Sequence, residues 1–235
     1  MALDVYVGTL TRYFTGDWET VAQRYARETG MEIQIIRPGM EPGQEPERPE
    51  AAEVEEAVAA WKAYLSEAIK VPLDWPEGIG PDYHTDRPAW DGYASLLLWA
   101  AYDEHPDLER PYGSVTVWDD DPAYRRAVAE GSGTRYYQLL KGQEVWLPAE
   151  MEMSFSAGFL NGQAKIYGSV PALLASLEEL NRRTWSANEL DFAKWRYDGC
   201  EPGAPLEVAA KFGFSIFREM ARLAAKDRLV MLLDY

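Results

Sequence analysis

Leu3, Val5 and Val7 alternate with Asp4 and Tyr6, and that period of two predicts an opening strand. Asp17 then stands where it can cap a helix whose Trp18, Val21, Ala22 and Tyr25 share one face, with Gly30 as its stop. Glu32 to Arg37 repeats the strand pattern, with Ile33 and Ile35 on one side. The opening therefore predicts a β-α-β unit, with its two strands parallel if they are neighbours. The run PGMEPGQEPERP over residues 38–49 is too rich in Pro and Gly for regular structure. It predicts a mobile acidic surface loop.

Beyond that loop, Val54, Val58, Trp61, Leu65 and Ile69 step by four, three, four and four, the spacing of one helical face. Glu50, Glu53, Glu55 and Glu56 sit near its start, where acids suit the helix dipole. Residues 71–90 carry four prolines and predict irregular chain. A helix over Gly92 to Tyr102 is apolar nearly all round, so it should be central. Ser114 to Trp118 predicts a short strand. Asp120 or Asp121 can cap a helix that has Pro122 in its first turn and ends at Gly131.

Arg135 to Leu147 and Glu150 to Tyr167 read as antiparallel strands, with Asn161-Gly162 as a tight turn. Ser169 caps a helix from Pro171 whose Leu173, Leu174, Leu177 and Leu180 form the buried side, and a short helix follows around Ala187 to Trp195. Pro205 to Lys226 predicts a long helix striped by Leu206, Ala209, Ala210, Gly213, Ile216, Phe217 and Met220. Phe212 and Phe214 lie off the stripe and need their own cover. We expect it from within the chain, so a monomer rather than a homodimer. Leu229 to Leu233 is a continuous apolar run, as in an interior strand. The sum is a single α+β domain over residues 1–235.

Charge changes this picture more than composition does. The chain of 235 residues holds 39 acids against 23 bases, a net −16, and residues 1–120 alone hold 24 acids and 9 bases. Nucleic-acid affinity comes largely from cations displacing counterions, so DNA, RNA and anionic membrane are disfavoured partners. A basic protein is the partner such a surface would attract. The longest apolar stretch, around Leu96 to Trp99, is too short to span a bilayer. One cysteine, Cys200, excludes an intramolecular disulfide. Together with an N-terminus lacking a signal-like apolar run, this leads us to expect a cytoplasmic protein.

Few residues point to chemistry. In Asp82-Tyr83-His84-Thr85-Asp86 an extended chain would direct Asp82, His84 and Asp86 to one face, where Asp119, Asp120 and Asp121 could join them around a divalent cation. That would suit a metal-assisted hydrolase. The plainer reading is turn and cap chemistry, because no HExxH pair or EF-hand spacing is present. There is no GxSxG elbow, and Cys200 has acidic neighbours that disfavour a thiolate. Gly131-Ser132-Gly133-Thr134 follows a helix and precedes a strand, the reverse of a phosphate loop. No cofactor motif is found.

The string Leu3-Asp4-Val5-Tyr6-Val7-Gly8-Thr9-Leu10-Thr11-Arg12-Tyr13 resembles the start of uncharacterised bacterial proteins with no assigned activity. The resemblance implies a bacterial protein and supplies no catalytic residue. Read physically, Asp4 and Tyr6 share a strand face, and Arg12 and Tyr13 follow its end, a favoured position for ligands. These four are the candidate binding residues; the competing reading is a buried Asp–Arg pair tying strand to loop. The leading functional expectation is a non-enzymatic, immunity-type binding protein acting on a basic partner.

Overall fold

The computed structural model describes residues 3–32, 48–114 and 117–235. In chain order these form β1 (Asp4–Gly8), α1 (Leu10–Thr15), α2 (Val21–Thr29), α3 (Ala51–Ile69), β2 (His84–Asp86) and α4 (Ala89–Glu104). They continue with α5 (Pro122–Ala129), α6 (Tyr137–Leu140), β3 (Val145–Leu147), β4 (Phe155–Gly158) and β5 (Ala164–Ser169). The chain finishes with α7 (Val170–Arg183), α8 (Glu189–Asp198), α9 (Leu206–Asp227) and β6 (Val230–Asp234). The fold is α+β, as expected.

The strands form one mixed sheet in the order β2-β1-β6-β3-β5-β4. Among the described residues only β3 and β5 run parallel, with Val145 opposite Tyr167. Alternation along β1 sends Leu3, Val5 and Val7 into a core with α4, α7 and α9, while Tyr6 enters a second core under α3. The same division continues along β6, where Met231 and Leu233 join the first core and Val230 and Leu232 the second. Both sheet faces are thus covered by helices, which is why β6 reads as unbroken apolar sequence.

The first core is the larger. Leu96, Leu97 and Leu98 of α4 are all buried, and so is every residue of the α9 stripe. Burying one such leucine contributes roughly 1.5–3 kcal/mol. Phe214 is covered within the chain by Trp185, Phe192 and Trp195, whereas Phe212 is only half-buried.

Several expectations are corrected. Thr20, not Asp17, caps α2, and its Gln23 completes a capping box; the extra helix α1 is capped by Thr9. The strand expected over Arg135 to Leu147 is confined to β3; Tyr137–Leu140 instead form the short helix α6, where Gln138, Leu139 and Leu140 are buried in succession rather than alternately. Its expected antiparallel partner is the hairpin of β4 and β5 around Asn161-Gly162, and β3 joins that hairpin in parallel. The second strand expected in the β-α-β unit falls on residues 33–37, outside the described residues, as do 38–47 of the acidic loop and 115–116 of the Ser114–Trp118 strand. Both neighbours of β1, namely β2 and β6, are antiparallel to it.

Candidate functional site

At the end of β1 the chain turns into α1, and Thr9 ties the turn together. Its hydroxyl donates to the Gly78 carbonyl at 2.7 Å and accepts from the Arg12 amide at 3.2 Å. The Tyr6 hydroxyl donates to the Thr9 carbonyl at 2.9 Å. Burial pushes the Tyr6 phenol far above its ordinary range, so it stays a neutral donor. Around it stand Tyr13, Trp18 and Tyr83, with ring centroids 5.3, 5.0 and 6.3 Å away. Arg12 lies over the Tyr83 ring at 5.1 Å and reaches Asp17 at 3.0 Å.

The structure therefore brings Tyr6, Arg12 and Tyr13 together and sets Asp4 apart. Asp4 is buried and accepts from Arg87 Nε and Nη2 at 3.1 and 3.0 Å. A buried Asp–Arg pair does exist, but Arg87 at the exit of β2 is its cation. Each of the four candidate residues has a partner inside the fold.

Beside Tyr13 lies a cleft of about 90 Å³, bounded by Phe159, Lys165, Leu232, Asp234 and Tyr235 among others. This is room for roughly three waters, well below the roughly 300–1,000 Å³ of an ordinary ligand pocket. Its polar groups bind one another. The Tyr13 hydroxyl donates to Asp234 at 2.7 Å, and Lys165 and the Tyr235 hydroxyl both donate to Glu144 Oε1 at 2.6 Å. Burial, helped by Glu144, pushes the Tyr235 phenol up to about 12.

The Asp82–Asp86 segment packs against helices. His84 and Asp86 pair with Val7 and Val5 across β1 and so face α9 and α8. There His84 lies 3.8 Å from Asp227 and Asp86 pairs with Arg196, while Asp82 is exposed outside the strand. Asp121 caps α5 through Ala123 at 2.8 Å and accepts the Tyr102 hydroxyl at 2.9 Å. Among the described residues, no group of three or more His, Cys, Asp and Glu is placed to hold a metal ion.

What the sequence pattern left unassigned is the distribution of partnered charge. On the α4–α9 side most arginines are paired: Arg183 with Asp103, Arg218 with Glu178 and Glu189, Arg222 with Glu219 and Arg196 with Asp86. On the α3 side, Glu53, Glu55, Glu56 and Glu67 are exposed, as are Glu150 and Glu152 ahead of β4. None of the six has an ion-pair partner among the described residues. Lys62 of α3 does not offset them. It turns inward, donates to the Trp75 carbonyl at 2.8 Å and lies on the Trp75 ring. Tyr64 stands among the α3 acids with 69 % of its surface exposed.

No protein-family model, curated protein or solved structure matches this chain. Among the described residues no helix is long and apolar enough to cross a membrane.

Proposed function

We propose that the protein works by binding rather than by catalysis, and that it holds a basic partner protein in the manner of an immunity-type inhibitor. The carrying observation is the row of four exposed carboxylates along α3, Glu53, Glu55, Glu56 and Glu67, unpaired among the described residues, with the nearby Lys62 drawn inward. Exposed charges of this kind raise association rates through long-range attraction, which salt screens beyond about 8 Å at physiological strength. Tyr64 supplies the half-apolar, hydrogen-bonding contact typical of an interface centre. The groups around Tyr6, Arg12 and Tyr13 serve as the scaffold under this face, because each is already engaged.

The test is association kinetics against a basic protein, with lysozyme as a generic cationic probe beside any partner captured in cells. Glu53→Gln, Glu56→Gln and Glu67→Gln combined should slow association and flatten its salt dependence, with little change in dissociation. The matched control replaces exposed acids on the α4–α9 side that are unpaired among the described residues: Asp91→Asn, Glu109→Gln and Glu201→Gln combined. Equal effects from both sets would reduce the acidity to a solubility device and overturn the reading.

A further inference from the structure

β4 closes one end of the sheet, and its free edge differs from the edge at the other end. In the β4–β5 hairpin, the Phe159 amide donates to the Gln163 carbonyl at 2.7 Å. Phe155 pairs with Tyr167 and Ala157 with Lys165. In an antiparallel ladder alternate residues direct both backbone groups to the same side. Phe155, Ala157 and Phe159 therefore face β5, and Ser156 and Gly158 face outward.

The outward Gly158 carbonyl is already taken by the Trp61 indole of α3 at 3.0 Å. The Ser156 N–H and C=O and the Gly158 N–H remain, at two exposed residues with no strand beyond them among the described residues. At the opposite end of the sheet, Arg24 covers β2 by donating to the Thr85 carbonyl at 3.0 Å. β4 itself carries no charge and no proline, the devices that ordinarily blunt an edge strand.

Just ahead of β4 lies an open hollow of about 360 Å³ lined by Met151, Ser169, Pro171 and Ala172, with Glu150 and Glu152 at its rim. Neither carboxylate has an ion-pair partner among the described residues. The Ser169 hydroxyl is committed to the Ala149 carbonyl at 2.7 Å, and the two glutamates are the ionisable groups lining the hollow, beside the N-terminus of α7. A chain laid along β4 and past its start would bring one side chain over this hollow. The chemistry that fits is a lysine or arginine.

We propose that an extended, basic segment of the partner protein adds to the sheet along β4 as a seventh strand, placing a Lys or Arg side chain in the hollow between Glu150 and Glu152. This rests on the basic-partner reading above and names the mode: main-chain hydrogen bonds give affinity and the acidic hollow gives selectivity.

The probe is a synthetic peptide of alternating Lys and Thr, titrated against the full chain. It is compared with the same peptide N-methylated at alternate amides and with a Glu–Thr analogue. The Lys–Thr peptide should bind and slow hydrogen exchange at the Ser156 and Gly158 amides. N-methylation, which deletes main-chain donors, should weaken binding by about tenfold. Ser156→Pro should do the same, since it removes an N–H outside the β4–β5 ladder. Glu150→Gln with Glu152→Gln should weaken binding several-fold and flatten its salt dependence.

Equal binding of the parent and N-methylated peptides would overturn strand addition while leaving the basic-partner reading in place. Equal binding of the Glu–Thr analogue would overturn the basic-partner reading instead, and the charge half of this proposal with it. A Ser156 amide already slow to exchange in the free protein, a dimer that Ser156→Pro dissociates, or no saturable binding of any peptide would each overturn the proposal.

Discussion

Gly92 of α4 and Gly213 of α9 meet backbone to backbone, so that a Cβ on Gly213 would overlap the Gly92 carbonyl. The contact sits in the first core, and it explains why the α9 stripe contains a glycine where every other member has a side chain. The two positions are not equivalent. A Cβ on Gly92 would stand 3.2 Å from Phe212 Cδ1, the edge of a half-buried ring, and 3.4 Å from Gly213 Cα. Gly213→Ala should therefore cost about 2 kcal/mol or more through overpacking, despite the gain of about 1 kcal/mol in helix propensity. Gly92→Ala should cost less, because the Phe212 ring can move. Urea midpoints of the two variants decide this; equal losses, or a stabilised Gly213→Ala, would remove the close crossing.

Asp86 makes the opposite kind of prediction, in which a native group opposes folding as pH rises. Burial raises its pKa from the ordinary value of 3.8, against the lowering effects of Arg196 and the Arg87 amide. A folded pKa above the unfolded one means that the native state binds the proton more tightly. The contribution is fully present below 3.8 and is lost as pH climbs through the raised folded value. Asp86→Asn stays neutral and escapes that loss. Its stability relative to the parent should rise with pH across this window, because the raised pKa already includes the attraction of Arg196. A variant that loses ground as pH rises would show that Arg196 outweighs desolvation.

The elements with a strong period were legible in the sequence, and the partners across the sheet were not. β1, α3, α4, α9 and β6 each bury one face or all of it, so spacing alone places them. α6 misled because three successive buried residues, Gln138 to Leu140, satisfy neither a strand nor an amphipathic pattern. The parallel union of β3 with β5 depends on β4 turning back outside it, which no local signal encodes. Among the candidate site residues, Tyr13 is legible only as a residue at a strand end, whereas its hydroxyl reaches Asp234, which is 221 positions away. Likewise an arginine partner for Asp4 was expressible from sequence, but the choice of Arg87 over Arg12 follows from the β1–β2 pairing.

Cys200 should be a slow nucleophile. Burial, then the nearby Asp91 and Glu201 carboxylates, push its thiol pKa up from the ordinary 9.0, and the thiolate is the reactive form. Iodoacetamide at neutral pH should alkylate the native chain more slowly than the urea-unfolded chain. Faster reaction in the native state would mean that a cation or dipole activates the thiol.

The missing side chain of Gly8 is what lets Tyr6 lie as it does. Two positions apart on one strand face, they share the same side of the sheet, and a Cβ on Gly8 would overlap the Tyr6 hydroxyl and ring. Tyr6 is fully buried and its hydroxyl reaches the Thr9 carbonyl, the residue that caps α1. Tyr6→Phe removes one neutral hydrogen bond from a buried site and should cost about 1 kcal/mol. Gly8→Ala must displace the whole ring from between Tyr13, Trp18 and Tyr83, so it should cost more, on the order of 2–3 kcal/mol. Because the hydroxyl is the nearest atom to the added methyl, removing it relieves part of the overlap. The double variant should then lose less stability than the two single losses together, with a coupling of at least about 0.5 kcal/mol. Strict additivity in denaturant unfolding would show that the ring yields to the methyl regardless of its hydroxyl, and the Tyr6–Thr9 bond would then not fix the ring over Gly8.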